Sequence, residues 1–82
     1  GAEGANWESE VRMTEGFPRR LQKLRERRRM TRKALGELCG LSKNIIGKYE
    51  RGEREPSLGV LIDLADYFEV PVDYLLGRQN FL

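Results

Sequence analysis

Hydrophobic side chains recur at helical spacing along most of this 82-residue chain, and no segment alternates with the period of two expected of a half-buried strand. The strongest repeat lies in LGVLIDLADYF, where apolar residues fall on one helical face: Leu58, Leu61, Leu64, Ala65 and Phe68. Shorter segments with the same period predict four further helices, over residues 17–30, 32–39, 43–50 and 72–76. The pattern therefore predicts an all-α domain of five short helices.

Residues that start and stop helices stand at the predicted boundaries. A residue able to cap the first turn precedes three of the helices: Thr31, Ser42 and Ser57. Gly40 follows the second helix as the expected left-handed terminator, and about three residues separate the second helix from the third, as in a helix-turn-helix. Gly36 lies inside the second helix at a cost of about 1 kcal/mol relative to alanine. Close packing at that position explains it, and simple tolerance is the alternative.

Helical spacing also predicts which side chains are buried. Ile46 and Tyr49 face inward from the third helix, and Ile45 stands at the edge of its apolar face, at a partly buried flank position. We expect six side chains in or near the core: Leu35, Leu38, Cys39, Tyr49, Leu61 and Leu64.

Charge is distributed unevenly along the chain, although the net charge is only +2. Residues 19–54 carry 13 Lys and Arg against four Glu, a net charge of +9, whereas residues 1–18 and 55–82 carry net charges of −3 and −4. A basic central segment indicates an anionic partner, either nucleic acid or an anionic membrane surface. The alternative is an unevenly charged surface that contacts only water.

The residue types limit the chemistry. The chain has no histidine and a single cysteine, so it lacks the usual ligands of a transition-metal site and the usual partners of a catalytic nucleophile. A single cysteine forms no internal disulfide, which suits a reducing cytoplasmic compartment. No apolar run approaches the roughly 18 residues of a membrane span. We therefore expect no metal, no cofactor, no membrane partner and no enzymatic activity.

The stretch MTRKALGELCGLSKNIIGKYERGEREPSLGVLIDLADYFEVPVDYLLG resembles the lambda-repressor-like helix-turn-helix family of bacterial and phage regulators, the Cro/C1 or XRE type. The resemblance covers residues 20–77. It is specific because Leu–Ser at the turn, YERGEREPS after the third helix and LADYFEVPVDYLLG at the end occur together. The resemblance implies a compact domain that docks its third helix in the DNA major groove, with the second helix crossing the phosphate backbone.

The resemblance also implies roles for individual residues. Four positions of the third helix correspond to base contacts: Lys43, Asn44, Gly47 and Lys48. Phosphate contacts correspond to Arg32, Lys33, Ser42, Arg51 and Arg54, with Arg19 and Arg20 as weaker candidates. Lysine donates to guanine and asparagine pairs with adenine, whereas the alternatives are solvated lysines and a spacer role for Asn44. Gly47 takes an outward position that carries a side chain in most relatives.

Other residues match structural positions of the family. Arg25 and Glu50 correspond to an ion pair between the first and third helices, which would orient the third helix. Gly36 and Gly40 are expected to shape the helix-turn-helix. The sequence departs from the family at Arg29, where relatives often place Gly or Asn, and at Glu69, where Gly is common.

The expected function is sequence-specific binding of double-stranded DNA by a bacterial or phage transcriptional regulator, most simply a repressor that binds a pseudo-palindromic operator as a homodimer. The alternative is an antitoxin-like or adaptor module whose main partner is a protein. RNA binding lacks the expected platform of stacked aromatic residues. We expect a flexible extension over residues 1–16, the DNA-binding domain over residues 17–78, and a tail or the start of a dimerisation element over residues 79–82.

Overall fold

A computed structural model describes residues 16–78, and five α-helices account for the regular structure in that range. The helices are α1 (Phe17–Arg27), α2 (Arg32–Cys39), α3 (Lys43–Glu50), α4 (Leu58–Phe68) and α5 (Val72–Leu75). No strand occurs among these residues, so the predicted all-α fold is confirmed. Helix α1 ends three residues earlier than predicted and α5 one residue earlier. The predicted extension, apart from Gly16, and the predicted tail lie outside the described residues.

Three helices begin at the predicted capping residues. The side-chain oxygens of Thr31, Ser42 and Ser57 each accept a hydrogen bond from the backbone N–H three residues later, at 3.0, 3.2 and 3.2 Å. Helix α1 lacks a side-chain cap and instead has Pro18 in its first turn, where no N–H is needed for a helical hydrogen bond. Local chemistry therefore fixes where α2, α3 and α4 start.

All five helices of the described range end in the same way. Each is followed by one residue with a φ angle between 56° and 80°: Arg29, Gly40, Gly52, Glu69 and Gly77. The N–H of the next residue then donates to the carbonyl five residues earlier, which is the Schellman arrangement. Arg29 and Glu69 adopt this left-handed conformation although they are not glycine, at a cost of about 1 kcal/mol each.

Gly36 allows α2 to pack against the turn that leads into α3. The N–H of Leu41 donates to the carbonyl of Gly36 at 2.6 Å, and a Cβ atom at position 36 would lie 2.5 Å from the carbonyl oxygen of Leu41. Any side chain would therefore push the turn away from α2. Because position 36 has no side chain, α2 and the turn that leads into α3 can remain in close contact.

The core draws on all five helices, and the rings of Phe17 and Tyr49 pack edge to face at 5.6 Å between centroids. The prediction that Leu38 lies in or near the core is wrong, because Leu38 is 59% exposed. Leu58, which belongs to the apolar repeat of the fourth helix, is 66% exposed. Helix α2 has only two turns and buries a narrow face, and position 38 lies beside that face. Leu58 is the first residue of α4, beyond the edge of the core.

The other predicted core side chains lie as expected. Leu35, Tyr49, Leu61 and Leu64 are buried, and Cys39 and Ile45 are partly buried. The longest described helices have 11 residues, and none of the helices in residues 16–78 has the length and apolar character needed to cross a bilayer.

Candidate nucleic-acid interface

An open depression of about 550 Å³ lies between the start of α2 and the outer side of α3. Five of its eight lining residues are positively charged and none is negatively charged: Arg25, Thr31, Arg32, Lys33, Lys43, Asn44, Gly47 and Arg51. We call it the basic depression. It brings together six of the nine predicted DNA contacts, whereas Ser42, Lys48 and Arg54 lie outside its lining.

Helix α3 separates apolar from polar residues around its axis. Ile46 is fully buried and Tyr49 nearly so, whereas Lys43, Asn44 and Lys48 are exposed. Because successive residues of a helix are rotated by about 100°, these three polar residues share the side opposite the core. The outer side of α3 therefore presents two ammonium groups and one amide to an approaching molecule.

The first turns of α2 and α3 both border the basic depression. Arg32 and Lys33 open α2, and Lys43 and Asn44 open α3. The unpaired N–H groups of a helix start carry a partial positive charge that adds to these side chains. The combination suits a phosphate group.

The buried carboxylate of Glu50 connects α3 to α1 beside the basic depression. Glu50 is 1% exposed in its side chain and accepts hydrogen bonds from Arg25, Nε to Oε2 at 2.6 Å and Nη2 to Oε1 at 3.1 Å. Arg25 also donates to the carbonyl of Met30 at 2.8 Å. Hydrogen bonding to Glu50 raises the pKa of Arg25. The ion pair predicted between the first and third helices is present.

Arg32 is a third member of this group, which the sequence did not reveal. Its Nε donates to Oε1 of Glu50 at 3.0 Å, while its side chain remains 46% exposed. Only Nε is used in that bond, so Arg32 keeps donors for an anion. The Arg25–Glu50–Arg32 group joins α1, the start of α2 and the end of α3.

Gly47 lies on the outer side of α3 as predicted, and the side chain of Arg51 covers it. Gly47 is buried, and a Cβ atom there would lie 3.0 Å from Nη1 of Arg51. Helical side chains lean towards the preceding turn, so Arg51 reaches back over the residue four positions earlier. The guanidinium of Arg51 therefore stands between Gly47 and any molecule at this surface.

Arg51 is held in that place by Glu53. Its Nε and Nη2 donate to the two carboxylate oxygens of Glu53 at 2.9 and 3.3 Å. These hydrogen bonds raise the pKa of Arg51 and lower the pKa of Glu53. The signal in the sequence was an opposite charge two residues after Arg51.

Two other basic residues pack against aromatic rings outside the basic depression. The guanidinium of Arg20 lies 4.5 Å from the ring centroid of Tyr74, and that of Arg28 lies 4.8 Å from the centroid of Tyr67. Such contacts are cation–π interactions that pack the charged groups against the fold. Arg19 and Arg54 are exposed. The charge of the central segment thus overstates the number of cations that face the basic depression.

The structure offers little other reactive chemistry within residues 16–78. No group of three or more potential metal ligands occurs there. Partial burial, with a smaller effect from Asp63, raises the pKa of the Cys39 thiol, so the thiol stays protonated and is a weak nucleophile at neutral pH.

Known proteins with similar sequences are transcriptional regulators. The helix-turn-helix family model matches residues 21–75. The uncharacterized HTH-type transcriptional regulator YobD of Bacillus subtilis (strain 168) is 39% identical over 64 residues, covering 78% of this chain and 57% of YobD. The HTH-type transcriptional regulator AnsR of the same organism is 40% identical over 61 residues, covering 74% and 53%. The chain thus spans just over half the length of these two relatives.

A solved structure has the same architecture. The P22 c2 repressor, crystallised in complex with a synthetic operator, superposes with a TM-score of 0.73 at 30% sequence identity. The match covers 77% of this chain and 96% of the repressor chain. Sequence and fold agree with the resemblance noted from the motifs, and the chain belongs to the helix-turn-helix family of the lambda-repressor-like type.

Proposed function

We propose that this chain binds double-stranded DNA in a sequence-specific manner, as the DNA-binding part of a transcriptional regulator. The observation that carries the proposal is the basic depression beside the exposed polar side of α3. Helix α3 enters the major groove in this arrangement, and the start of α2 lies against the phosphate backbone. The similar P22 c2 repressor was crystallised in complex with a synthetic operator, which supports DNA binding by this fold.

Lys43, Asn44 and Lys48 contact base edges. Lysine donates to O6 and N7 of guanine, and the asparagine amide both donates to and accepts from adenine. Helix α3 has eight residues and is therefore about 12 Å long. That length spans three to four base pairs at roughly 3.4 Å per step.

Phosphate groups are contacted by Arg32, Lys33, Ser42 and Arg54. The oxygen of the Ser42 hydroxyl accepts from the N–H of Ile45, which leaves the hydroxyl hydrogen to donate to a phosphate oxygen. Arg32 uses only its Nε towards Glu50 and offers its remaining donors to the backbone. These contacts set the position of α3 without selecting a sequence.

The same proposal covers the domain bounds, the cell compartment and the number of copies that bind DNA. Residues 17–78 form the DNA-binding domain of a cytoplasmic regulator, and two copies bind half-sites about one helical turn apart, roughly 34 Å. Repression by occupying an operator is the simplest mechanism, and it agrees with the name of the P22 c2 repressor.

Selection from a random duplex pool tests the proposal. The parent chain is expected to enrich one short motif, with affinity that falls as the salt concentration rises. An absence of both enrichment and salt-dependent binding would contradict DNA binding and favour a protein-interaction module.

Two lysine variants then separate the proposed roles on the selected site. Lys48→Ala is expected to lose about 1–3 kcal/mol of binding and the preference at one base pair. Lys33→Ala is the matched control, since it removes an exposed lysine from α2. It is expected to weaken all sequences alike and to make the salt dependence shallower by about one unit. Exchanged behaviour would show that the two roles are misassigned.

A further inference from the structure

Gly47 leaves a gap on the outer side of α3, and the guanidinium of Arg51 fills it. Position 47 lies one turn after Asn44, within the basic depression, and has no side chain of its own to offer. Nη1 of Arg51 lies 3.0 Å, and Cζ and Nη2 lie 3.7 Å, from the point where a Cβ atom would stand. Arg51 therefore places its charge where a side chain at position 47 would begin.

Glu53 restricts how this guanidinium is oriented. The carboxylate engages the edge formed by Nε and Nη2, at 2.9 and 3.3 Å. The other edge, formed by Nη1 and the second hydrogen of Nη2, is not engaged by Glu53. Two parallel N–H donors of this kind match O6 and N7 of guanine.

The partner of Arg51 also argues against a simple phosphate contact. An arginine that acts only on phosphate works through its positive charge, and a carboxylate at 2.9 Å opposes that effect. A carboxylate is useful when the guanidinium must be held in one plane, as a bidentate base contact requires. Arg54, three residues later in the loop, forms no salt bridge with a carboxylate of residues 16–78 and suits the phosphate role better.

We propose that Arg51 contacts a guanine in the major groove from the place that Gly47 leaves open, and that Glu53 orients it. The inference rests on the proposed DNA binding and moves Arg51 from the backbone contacts to the residues that determine specificity.

The test measures affinity of the parent and of three variants for the selected site and for each of its single-base-pair changes, at several salt concentrations. Arg51→Ala is expected to lose a guanine preference of about 5- to 150-fold at one base pair, the range for one bidentate contact. Arg54→Ala removes the same charge and is expected to weaken all sites alike. Retention of every base preference in Arg51→Ala would overturn the inference.

Glu53→Gln gives the sharper test, because it is expected to change overall affinity and guanine preference in opposite directions. Loss of a negative charge near DNA raises affinity for all sequences. Loss of the orienting carboxylate lowers the preference for guanine at the base pair affected by Arg51→Ala. An unchanged guanine preference, with higher affinity throughout, would show that Glu53 only opposes binding and would overturn its orienting role.

Gly47→Gln provides an independent arm. Glutamine is a good helix former, and the atoms nearest a new Cβ belong to the flexible end of Arg51. The longer side chain displaces the guanidinium, so the same guanine preference is expected to disappear although Arg51 is still present. Its persistence would overturn the inference. Failure of the parent to bind any duplex would instead refute DNA binding itself, so the two failures are distinguishable.

Discussion

Two arginines that line the basic depression, Arg25 and Arg51, each contact a glutamate with similar geometry but in different surroundings. Arg25 and Glu50 join at 2.6 Å with side chains that are 11% and 1% exposed. Arg51 and Glu53 join at 2.9 Å with side chains that are 53% and 52% exposed. The first pair joins residues 25 positions apart in the chain, on α1 and α3, and the second joins residues two positions apart. Distance alone therefore does not reveal what such a contact does.

Burial decides the difference. Removing one partner of a buried pair leaves a charge away from water, which is strongly unfavourable. Removing one partner of an exposed pair lets water and salt take its place. We infer that Glu50 maintains the relative positions of α1, α2 and α3. Glu53, in contrast, can influence how Arg51 binds a partner without affecting the fold.

The largest effect is expected from Glu50→Ala. The variant leaves Arg25 without its carboxylate in the interior, so the free energy of unfolding should fall by about 3–5 kcal/mol. Chemical denaturation followed by circular dichroism measures the change. Glu53→Ala is the control, and its unfolding midpoint should stay close to that of the parent. Similar losses in both variants would break the distinction between the two pairs.

A smaller effect is expected from Arg32→Ala. Glu50 keeps its two hydrogen bonds from Arg25, and the lost bond involves a half-exposed arginine, so the free energy of unfolding should fall by about 1 kcal/mol. Lys33→Ala changes the neighbouring charge without touching Glu50 and should leave stability unchanged. A loss as large as that of Glu50→Ala would mean that Arg32, and not Arg25, is the main partner of the carboxylate.

Much of this arrangement follows from the sequence because short-range chemistry determines it. Thr31, Ser42 and Ser57 act on N–H groups three residues away, and each was identified as a cap. The Arg25–Glu50 pair followed from the family resemblance. The left-handed residues Arg29 and Glu69 show that helix ends tolerate a non-glycine residue when the surrounding hydrogen bonds are satisfied.

The features that the sequence did not predict depend on the tertiary positions of the side chains. Helical spacing assigned Leu38 to the core, but a two-turn helix buries a narrower face than a long amphipathic helix does. Periodicity correctly placed Gly47 on the outer side of α3, but it gave no sign that Arg51 folds back over this residue. Which of several nearby arginines reaches Glu50 is also a tertiary question, so Arg32 was seen only as a phosphate contact.

A third prediction concerns Glu53→Gln. Because this pair is exposed, its removal should leave the thermal unfolding midpoint nearly unchanged, while overall DNA affinity rises and the preference for guanine falls. Differential scanning calorimetry measures the midpoint, and Glu55→Gln provides a control of equal charge change on the same loop. A clear loss of stability limited to Glu53→Gln would assign this pair a structural role after all.

The smallest effect is in proton binding. Hydrogen bonding to Arg51 lowers the pKa of Glu53 from its ordinary value of 4.5. The pair is therefore intact above the unfolded pKa, and its contribution is lost as the pH falls through the lowered pKa of the folded state. Carboxyl titration by NMR should show the pKa of Glu53 rising towards 4.5 in Arg51→Ala, with Arg54→Ala as the control. An unchanged pKa of Glu53 in Arg51→Ala would mean that the hydrogen bonds between Arg51 and Glu53 do not persist in solution.

The division of α3 into two sides has a consequence for how such a protein diversifies. Ile46, Tyr49 and Glu50 fasten the helix to the domain, whereas the side chains at positions 43, 44, 48 and 51 leave the core untouched. Substitutions on the outer side can therefore accumulate with little loss of stability. Duplicated copies of one gene can diverge in the operators they recognise while sharing an unchanged scaffold, and an engineer can graft a new set of outer residues onto the same eight-residue helix.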